Sequence, residues 1–445
     1  MARKSADFVN KKAHDPTEAS SVKATKPNFR KPARRADLDN LRIFLTALVI
    51  VHHTAIPYGG LGNWKFRSRC FPPLSIALAV FNGVDQTFFM GGFFFVSGWF
   101  SGIGVERATR EGTLSTFVAN RFKRLVLPAV LYTVAVNPFL EVMVEGYGPD
   151  GFAWESSPMG SLSFSATTFR ASLSNFVGIR GPVWYCILLA IFDVSAIFVP
   201  PWSMQRLVTM LRKHGFMLSL WITTIIASFV IRVSYPAGRV FRPLNLQPAY
   251  LPQYMLAYTL GFVSQETQDL HANLPLGASK FPLPRLICAL VCSILAAGVM
   301  LYISAIHLST SDPATAMQAM TGGFNLPAFL YASWNEASFA VILPSLLATF
   351  TTYLNKPFLL RTRNNQFVDV ARYSYAAFLV HESTSLFLEM LIDINMGCST
   401  PESSTVVDML GPFGMTLCVG GLNVLASWNV GFLLVENVPW LRAML

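Results

Sequence analysis

Charge is scarce in this chain. Only 13% of its 445 residues are Asp, Glu, Lys or Arg, about half of what a soluble globular protein carries. That shortage excludes an ordinary soluble enzyme, a disordered protein and a coiled coil. Cysteine is sparse too, with six residues, and no Cys/His spacing resembles a zinc site, so metal catalysis lacks ligands. No internal repeat, prenylation motif or ER-retrieval signal is present, and no Ser–His–acid order points to a serine acyl-enzyme. A signal peptide is also missing: the first long apolar run starts only at Leu41 and has no small-residue cleavage site after a short apolar core.

What is abundant is apolar. Hydrophobic residues make up 53%, with 36 Phe, and the mean hydropathy is +0.45. A membrane span needs about 20 mostly apolar residues. Ten stretches qualify: 40–58, 78–103, 122–144, 182–202, 215–234, 247–265, 284–307, 325–353, 372–393 and 411–437, the eighth containing Pro327 and Pro344. The expected fold is all-α, a polytopic transmembrane bundle of about ten spans over 37–445. Residues 1–36 hold ten Lys/Arg against Asp7, Asp15 and Glu18 and read as a disordered basic tail. Three acids, three prolines and no amphipathic stripe argue against a mitochondrial presequence.

The formal charge of +10 is no sign of nucleic-acid binding. Much of it lies in the tail and in short loops beside apolar spans, where positive charge sets orientation. With the tail cytoplasmic, that side holds 26 basic residues and the other 8; without the tail the count is 16 to 8. Both termini are therefore expected in the cytoplasm. Cys186, Cys288, Cys292 and Cys418 fall in spans and read as small buried hydrophobes. Cys70 and Cys398 fall in non-cytoplasmic loops, where a disulfide between them is allowed if that side is oxidising.

Ionisable groups within spans are costly and mark function. The first span has the densest set: Asp37, Asp39, Arg42, His52 and His53. Arg42 and His53 are eleven residues apart, which on a helix leaves them about 20° apart, with His53 roughly 16 Å deeper and near mid-membrane. His52 is rotated by about 100° from that stripe. Imidazole is suited to take a proton near neutral pH, and an arginine at the rim is suited to hold the phosphates of an anionic cosubstrate. The bland alternative is a histidine bonded to a neighbouring helix and an arginine snorkelling to headgroups. Arg121-Phe-Lys-Arg124 sits at the mouth of the third span before Pro128. Asp85 and Gln86 precede Phe88-Phe-Met-Gly-Gly-Phe-Phe-Phe-Val-Ser97-Gly98, whose small residues permit close helix approach. Trp184 and Tyr185 open the fourth span as interfacial aromatics. Glu336 and His381 lie inside later spans; they contact substrate, or satisfy each other or a backbone carbonyl.

Taken in order, these elements resemble the acyltransferase-3 family of integral-membrane O-acyltransferases, from about Asp37 to Arg442. Arg42, ten residues and His53 resemble the family's first-helix signature. Phe94-Phe-Val-Ser97-Gly98 resembles its "FF-x-SG" element, and Arg121-Phe-Lys-Arg124-Leu-Val-Leu-Pro128 its basic motif. Val183-Trp184-Tyr185 and Tyr373-Ser374-Tyr375 with Leu379-Val380-His381 resemble later elements. Leu246-Gln-Pro-Ala-Tyr250-Leu-Pro-Gln-Tyr254 looks like the branch of glucan-modifying succinyltransferases and fungal relatives. The chain departs in Asn40, where many members carry Gly, and in lacking an appended esterase-like domain, which makes a large cell-wall polymer a weaker acceptor candidate.

The resemblance implies transfer of an acyl group, usually acetyl, from acyl-CoA to a hydroxyl of a secondary metabolite or of a glycan or glycolipid. No permanently bound cofactor is expected. His53 is then the expected base, with Asp85 or Glu336 orienting its ring, a choice the sequence leaves open. Arg42, Arg121 and Arg124 are expected to hold the CoA phosphates, Trp184 and Tyr185 to line the donor path, and Ser97 and His381 to meet the acceptor. The rival reading is a proton-coupled transporter or flippase of a small molecule or lipid-linked sugar.

Overall fold

The computed structural model describes residues 34–148, 151–152, 170, 178–267, 280–361, 367–396 and 405–444. The expected tail, 1–36, lies almost wholly outside the described residues, as does Cys398.

The first helix, α1, runs Ala36–Ala55. Asp37 and Asp39 occupy its first turn, where carboxylates meet the positive end of the helix dipole. Next come α2 (Ile76–Gln86) and α3 (Phe89–Glu111), which share one expected span but break at Thr87–Phe88. Gln253 donates its side-chain amide to the Thr87 carbonyl at 2.9 Å, pairing an acceptor at the break. The third span is a chain of short helices, α4 (Leu114–Arg121), α5 (Leu127–Leu131) and α6 (Asn137–Glu145), joined by π-turns at Phe122–Val126 and Tyr132–Val136. Each π-turn precedes a proline, Pro128 or Pro138. A proline within a helix lacks the amide donor and crowds the carbonyl four residues back, and the wider turn accommodates it.

Helices α7 (Trp184–Ile197) and α8 (Pro201–Leu211) follow, then α9 (His214–Ser234) and α10 (Leu251–Thr267). Beyond them lie α11 (Pro282–His307), α12 (Pro313–Thr321) and α13 (Leu326–Tyr353). The series closes with α14 (Ser374–Asn395), α15 (Thr405–Asn437) and α16 (Pro439–Met444). In α13, Asn325 caps the Ala328 amide at 2.8 Å, and Pro344 lies within the helix. In α15, Gly411 adopts φ 59° just before Pro412, so the apolar stretch starts at a kink. Two short antiparallel hairpins, Tyr147–Gly148 with Gly151–Phe152 and Leu359–Arg361 with Phe367–Asp369, are the strands among the described residues.

All ten expected stretches contain helix, and the bundle is all-α as expected. Five helices among the described residues are long and apolar enough to cross a membrane, or six if the pair Gly181–Ile197 and Trp202–Leu211, bent by 110°, counts as one span. The stretches that fall short of that standard are α1, α10, α13 and α14. They carry buried polar groups, among them Asp37, His52, Gln253, Asn335, Glu336, His381, Glu382, Glu389 and Asp393, and these lower the apolarity of their helices.

Close packing positions the core. A Cβ on Gly261 of α10 would lie 2.0 Å from the Phe95 carbonyl oxygen, and one on Gly98 of α3 would lie 2.2 Å from the Tyr258 carbonyl oxygen. These glycines let α3 and α10 touch backbone to backbone, so packing accounts for the small residues of the "FF-x-SG" stretch. Asn40 is also placed: its amide bonds the carbonyls of Leu354 and Lys356 at 2.6 and 2.7 Å and ties α1 to the end of α13. Cys70 is disulfide-bonded. Cys186 is buried, whereas Cys288, Cys292 and Cys418 are exposed, which corrects the expectation that all four fill interior space.

Candidate active site

Arg42 and His53 both face α14. The Arg42 Nε donates to Ser374 Oγ at 3.1 Å and its Nη2 to the Ala371 carbonyl at 3.2 Å. Further along, the His53 ring stacks on His381, with centroids 5.4 Å apart and planes 25° apart. The eleven-residue spacing thus forms one stripe against one partner helix. Because α1 starts at Ala36 and ends at Ala55, His53 lies about 25 Å along it, at its far end and not mid-helix.

The segment after α1 folds back over that end. Trp64 stacks on the His53 ring itself, with centroids 4.7 Å and planes 18° apart, and its indole N–H donates to Glu389 Oε2 at 2.9 Å. Lys65 donates to Asn137 Oδ1 at 2.5 Å and lies 3.8 Å from Glu382. Ser68 donates to Asp393 Oδ1 at 2.5 Å. Glu382, Glu389 and Asp393 follow one another at seven and then four residues, one face of α14, and all three are buried. Tyr132 donates to Glu382, and Tyr147 to Asp393 at 2.8 Å.

Neither expected carboxylate touches His53. Asp85 Oδ1 lies 2.8 Å from His52 Nδ1, because the 100° rotation of His52 turns it toward α2. Glu336 accepts from Ser228 at 2.8 Å and from Asn335 at 3.1 Å, within reach of the Arg232 charge. Arg232 is fully buried with its guanidinium over the rings of Tyr250 and Tyr331 at 5.0 and 4.5 Å. His53 is half-buried, and its Nδ1 is buried without a hydrogen-bond partner among the described residues. His381 donates from Nδ1 to the Phe378 carbonyl at 2.5 Å. A carbonyl only accepts, so the proton sits on Nδ1 and the lone pair on Nε2.

At the Arg42 end the basic motif divides. Arg121 Nε lies 2.9 Å from Asp193 Oδ2, a carboxylate that also accepts from Ser101 at 2.5 Å and Tyr258 at 2.8 Å. Arg124 is exposed, and its backbone carbonyl, crowded by Pro128, accepts from Tyr375 at 2.5 Å. Ser97 and Tyr185 share a hydrogen bond of 2.6 Å. Trp184 stacks on Tyr254 at 5.8 Å. A column of rings then links the two ends: Tyr185 to Phe378 at 5.7 Å, Phe378 to His381 at 5.6 Å, His381 to His53, and His53 to Trp64. So Ser97, Tyr185, His381 and His53 belong to one continuous feature, with Trp184 beside it, while Asp85, Glu336 and Arg121 sit in pairs of their own. No group of His, Cys, Asp and Glu suited to hold a metal occurs among the described residues.

A family model described as an acyltransferase domain matches residues 35–432, nearly the whole helical bundle. The chain belongs to the acyltransferase-3 family. It is an integral multi-pass membrane enzyme that moves an acyl group from a donor to an acceptor, which decides against the transporter reading. No curated protein and no solved structure matches the chain. Within this acyltransferase, the sequence reading missed Trp64, Asp193, Glu389 and Asp393. The α14 acids carried a findable signal, since the spacing argument applied to Arg42 and His53 fits Glu382 and Asp393 as well. Trp64 carried none, because a residue in an irregular segment has no periodicity.

Proposed function

We propose that the protein transfers a short acyl group, acetyl by preference, from acyl-CoA to a hydroxyl of a secondary metabolite, with His53 as the general base. The carrying observation is the His53 ring at the end of the ring column that starts near Arg42, Ser374 and Tyr375. In this reading CoA phosphates dock at the Arg42 end, on the exposed Arg124 and on Arg42, whose guanidinium also pairs with Asp39 at 3.3 Å, while Arg121 is held by the buried Asp193. The pantetheine arm follows the column past Ser97, Trp184 and Tyr185 and brings the thioester to His53. The ring takes the proton of the acceptor hydroxyl as its oxygen attacks the thioester carbon. The carbon–sulfur bond breaks, and the imidazolium returns the proton to the CoA thiolate. His381, with its proton on Nδ1, offers a lone pair beside this step. Both termini lie on the cytoplasmic side, so the donor comes from the cytosol.

The test is acyl transfer by the purified protein in detergent, with acetyl-CoA as donor and a metabolite extract as acceptor pool, read by mass as an acetyl increment. His53→Ala should insert and fold but lose transfer by about a hundredfold or more. Acylation near the wild-type rate by that variant would remove His53 from the chemistry.

A further inference from the structure

In a hydrolytic triad a carboxylate fixes the ring of the catalytic histidine through its second nitrogen. Among the described residues that device is absent at His53: Asp85 is spent on His52, and the His53 Nδ1 is buried with no hydrogen-bond partner there. The ring is bounded instead by two stacked neighbours, Trp64 at 4.7 Å and His381 at 5.4 Å. We infer that Trp64 is the positioning residue of His53, an aromatic clamp that sets the ring plane where other hydrolases and transferases use a carboxylate. This rests on the reading of His53 as the base.

Trp64 is equipped for the role because it is itself anchored. Its N–H bonds Glu389, which is fully buried. The other oxygen of Glu389 accepts from Asn423 at 3.3 Å, and Asn423 also bonds Thr54, the residue after His53, at 2.8 Å. One carboxylate therefore registers the indole and the backbone carrying the imidazole against each other. The flanking contacts of Lys65 with Asn137 and of Ser68 with Asp393 pin the same segment on both sides of Trp64. The indole at 4.7 Å and 18° and His381 at 5.4 Å and 25° both lie nearly parallel to the imidazole, and two such stacks restrict the tilt of its plane.

Two readouts test this on the full-length protein in detergent, comparing Trp64→Phe, which keeps a stacking ring, with Trp64→Leu, which keeps bulk alone. The first is carbethoxylation of His53 by diethyl pyrocarbonate, followed by peptide mass spectrometry, with exposed His307 as internal reference. Modification of His53 should rise about tenfold in Trp64→Leu and stay near wild type in Trp64→Phe. The second is acetyl-CoA turnover with water as acceptor. In Trp64→Leu, kcat should fall about tenfold with KM for acetyl-CoA unchanged, and Trp64→Phe should recover most of it. Equal behaviour of the two variants at equal melting temperature overturns the clamp. Should either variant unfold, Glu389→Gln, which retains an acceptor for the indole, against Glu389→Leu decides in the same way. Full turnover by His53→Ala would instead refute the base assignment, and loss in His53→Ala with wild-type reactivity and turnover in Trp64→Leu would refute the clamp alone.

Discussion

The two adjacent histidines of α1 have separate fates. His52 is paired with Asp85 at 2.8 Å in a buried contact, and His53 stacks on Trp64 and His381. Removing Asp85 should therefore act first on stability: Asp85→Ala leaves the His52 nitrogen buried and unpaired, at a cost of about 1–3 kcal/mol. Asp85→Asn, which retains a hydrogen bond, should recover much of that in a thermal melt, and both variants should keep measurable transfer. A clean loss of transfer at unchanged melting temperature would place Asp85 in the chemistry after all. The basic motif divides in the same manner. Arg121→Ala strands the Asp193 carboxylate, fully buried, and breaking one partner of such a pair costs about 3–5 kcal/mol; the melt should show it. Arg124→Ala, at an exposed position, should leave the melt alone and raise KM for acetyl-CoA, and an unchanged KM would take Arg124 out of the donor site.

At the scale of elements, the contact of α3 with α10 leaves no room for an added atom at Gly261 or Gly98. Gly261→Ala would drive a methyl group to 2.0 Å from a backbone oxygen of Phe95. No side-chain rotation relieves a clash with backbone, so the helices must part, at a cost on the order of 3 kcal/mol or more. Gly421→Ala on α15 meets nothing within 4 Å and should be neutral or slightly stabilising, since alanine favours helix. Expression level and melting temperature of the two variants give the comparison, and equal values would contradict the packing described. The irregular segment between α1 and α2 behaves as a second element of this kind. It has no helix of its own, yet its side chains Trp64, Lys65 and Ser68 are tied to α14 or α6.

For the molecule as a whole, the distribution of basic residues makes topology the main expectation. The short turn after α11 and the one after α13 should open on opposite sides of the membrane. Cysteines introduced as Ser311→Cys and Lys356→Cys, both at exposed positions, test it with a membrane-impermeant maleimide. In intact cells Ser311→Cys should react and Lys356→Cys should react only after permeabilisation; the reverse pattern would invert the proposed orientation and place the donor on the opposite side.

The sequence by itself determined the class of the protein. Low charge and long apolar runs require a helical membrane bundle, because every backbone group in lipid must be paired within its own segment. It also determined that Arg42 and His53 share a stripe, since helical periodicity is a local property and eleven residues return nearly to the same azimuth. What lay beyond it were contacts between residues far apart in the chain. Asp85 and Glu336 were the natural partners for His53 by type, and the fold gave Asp85 to His52 and set Glu336 beside Arg232. Glu389 meets Trp64 across 325 positions. Only the tertiary structure decided these pairings, because which side chain faces which depends on how the helices cross and how the segment after α1 folds back, and neither is written in local spacing.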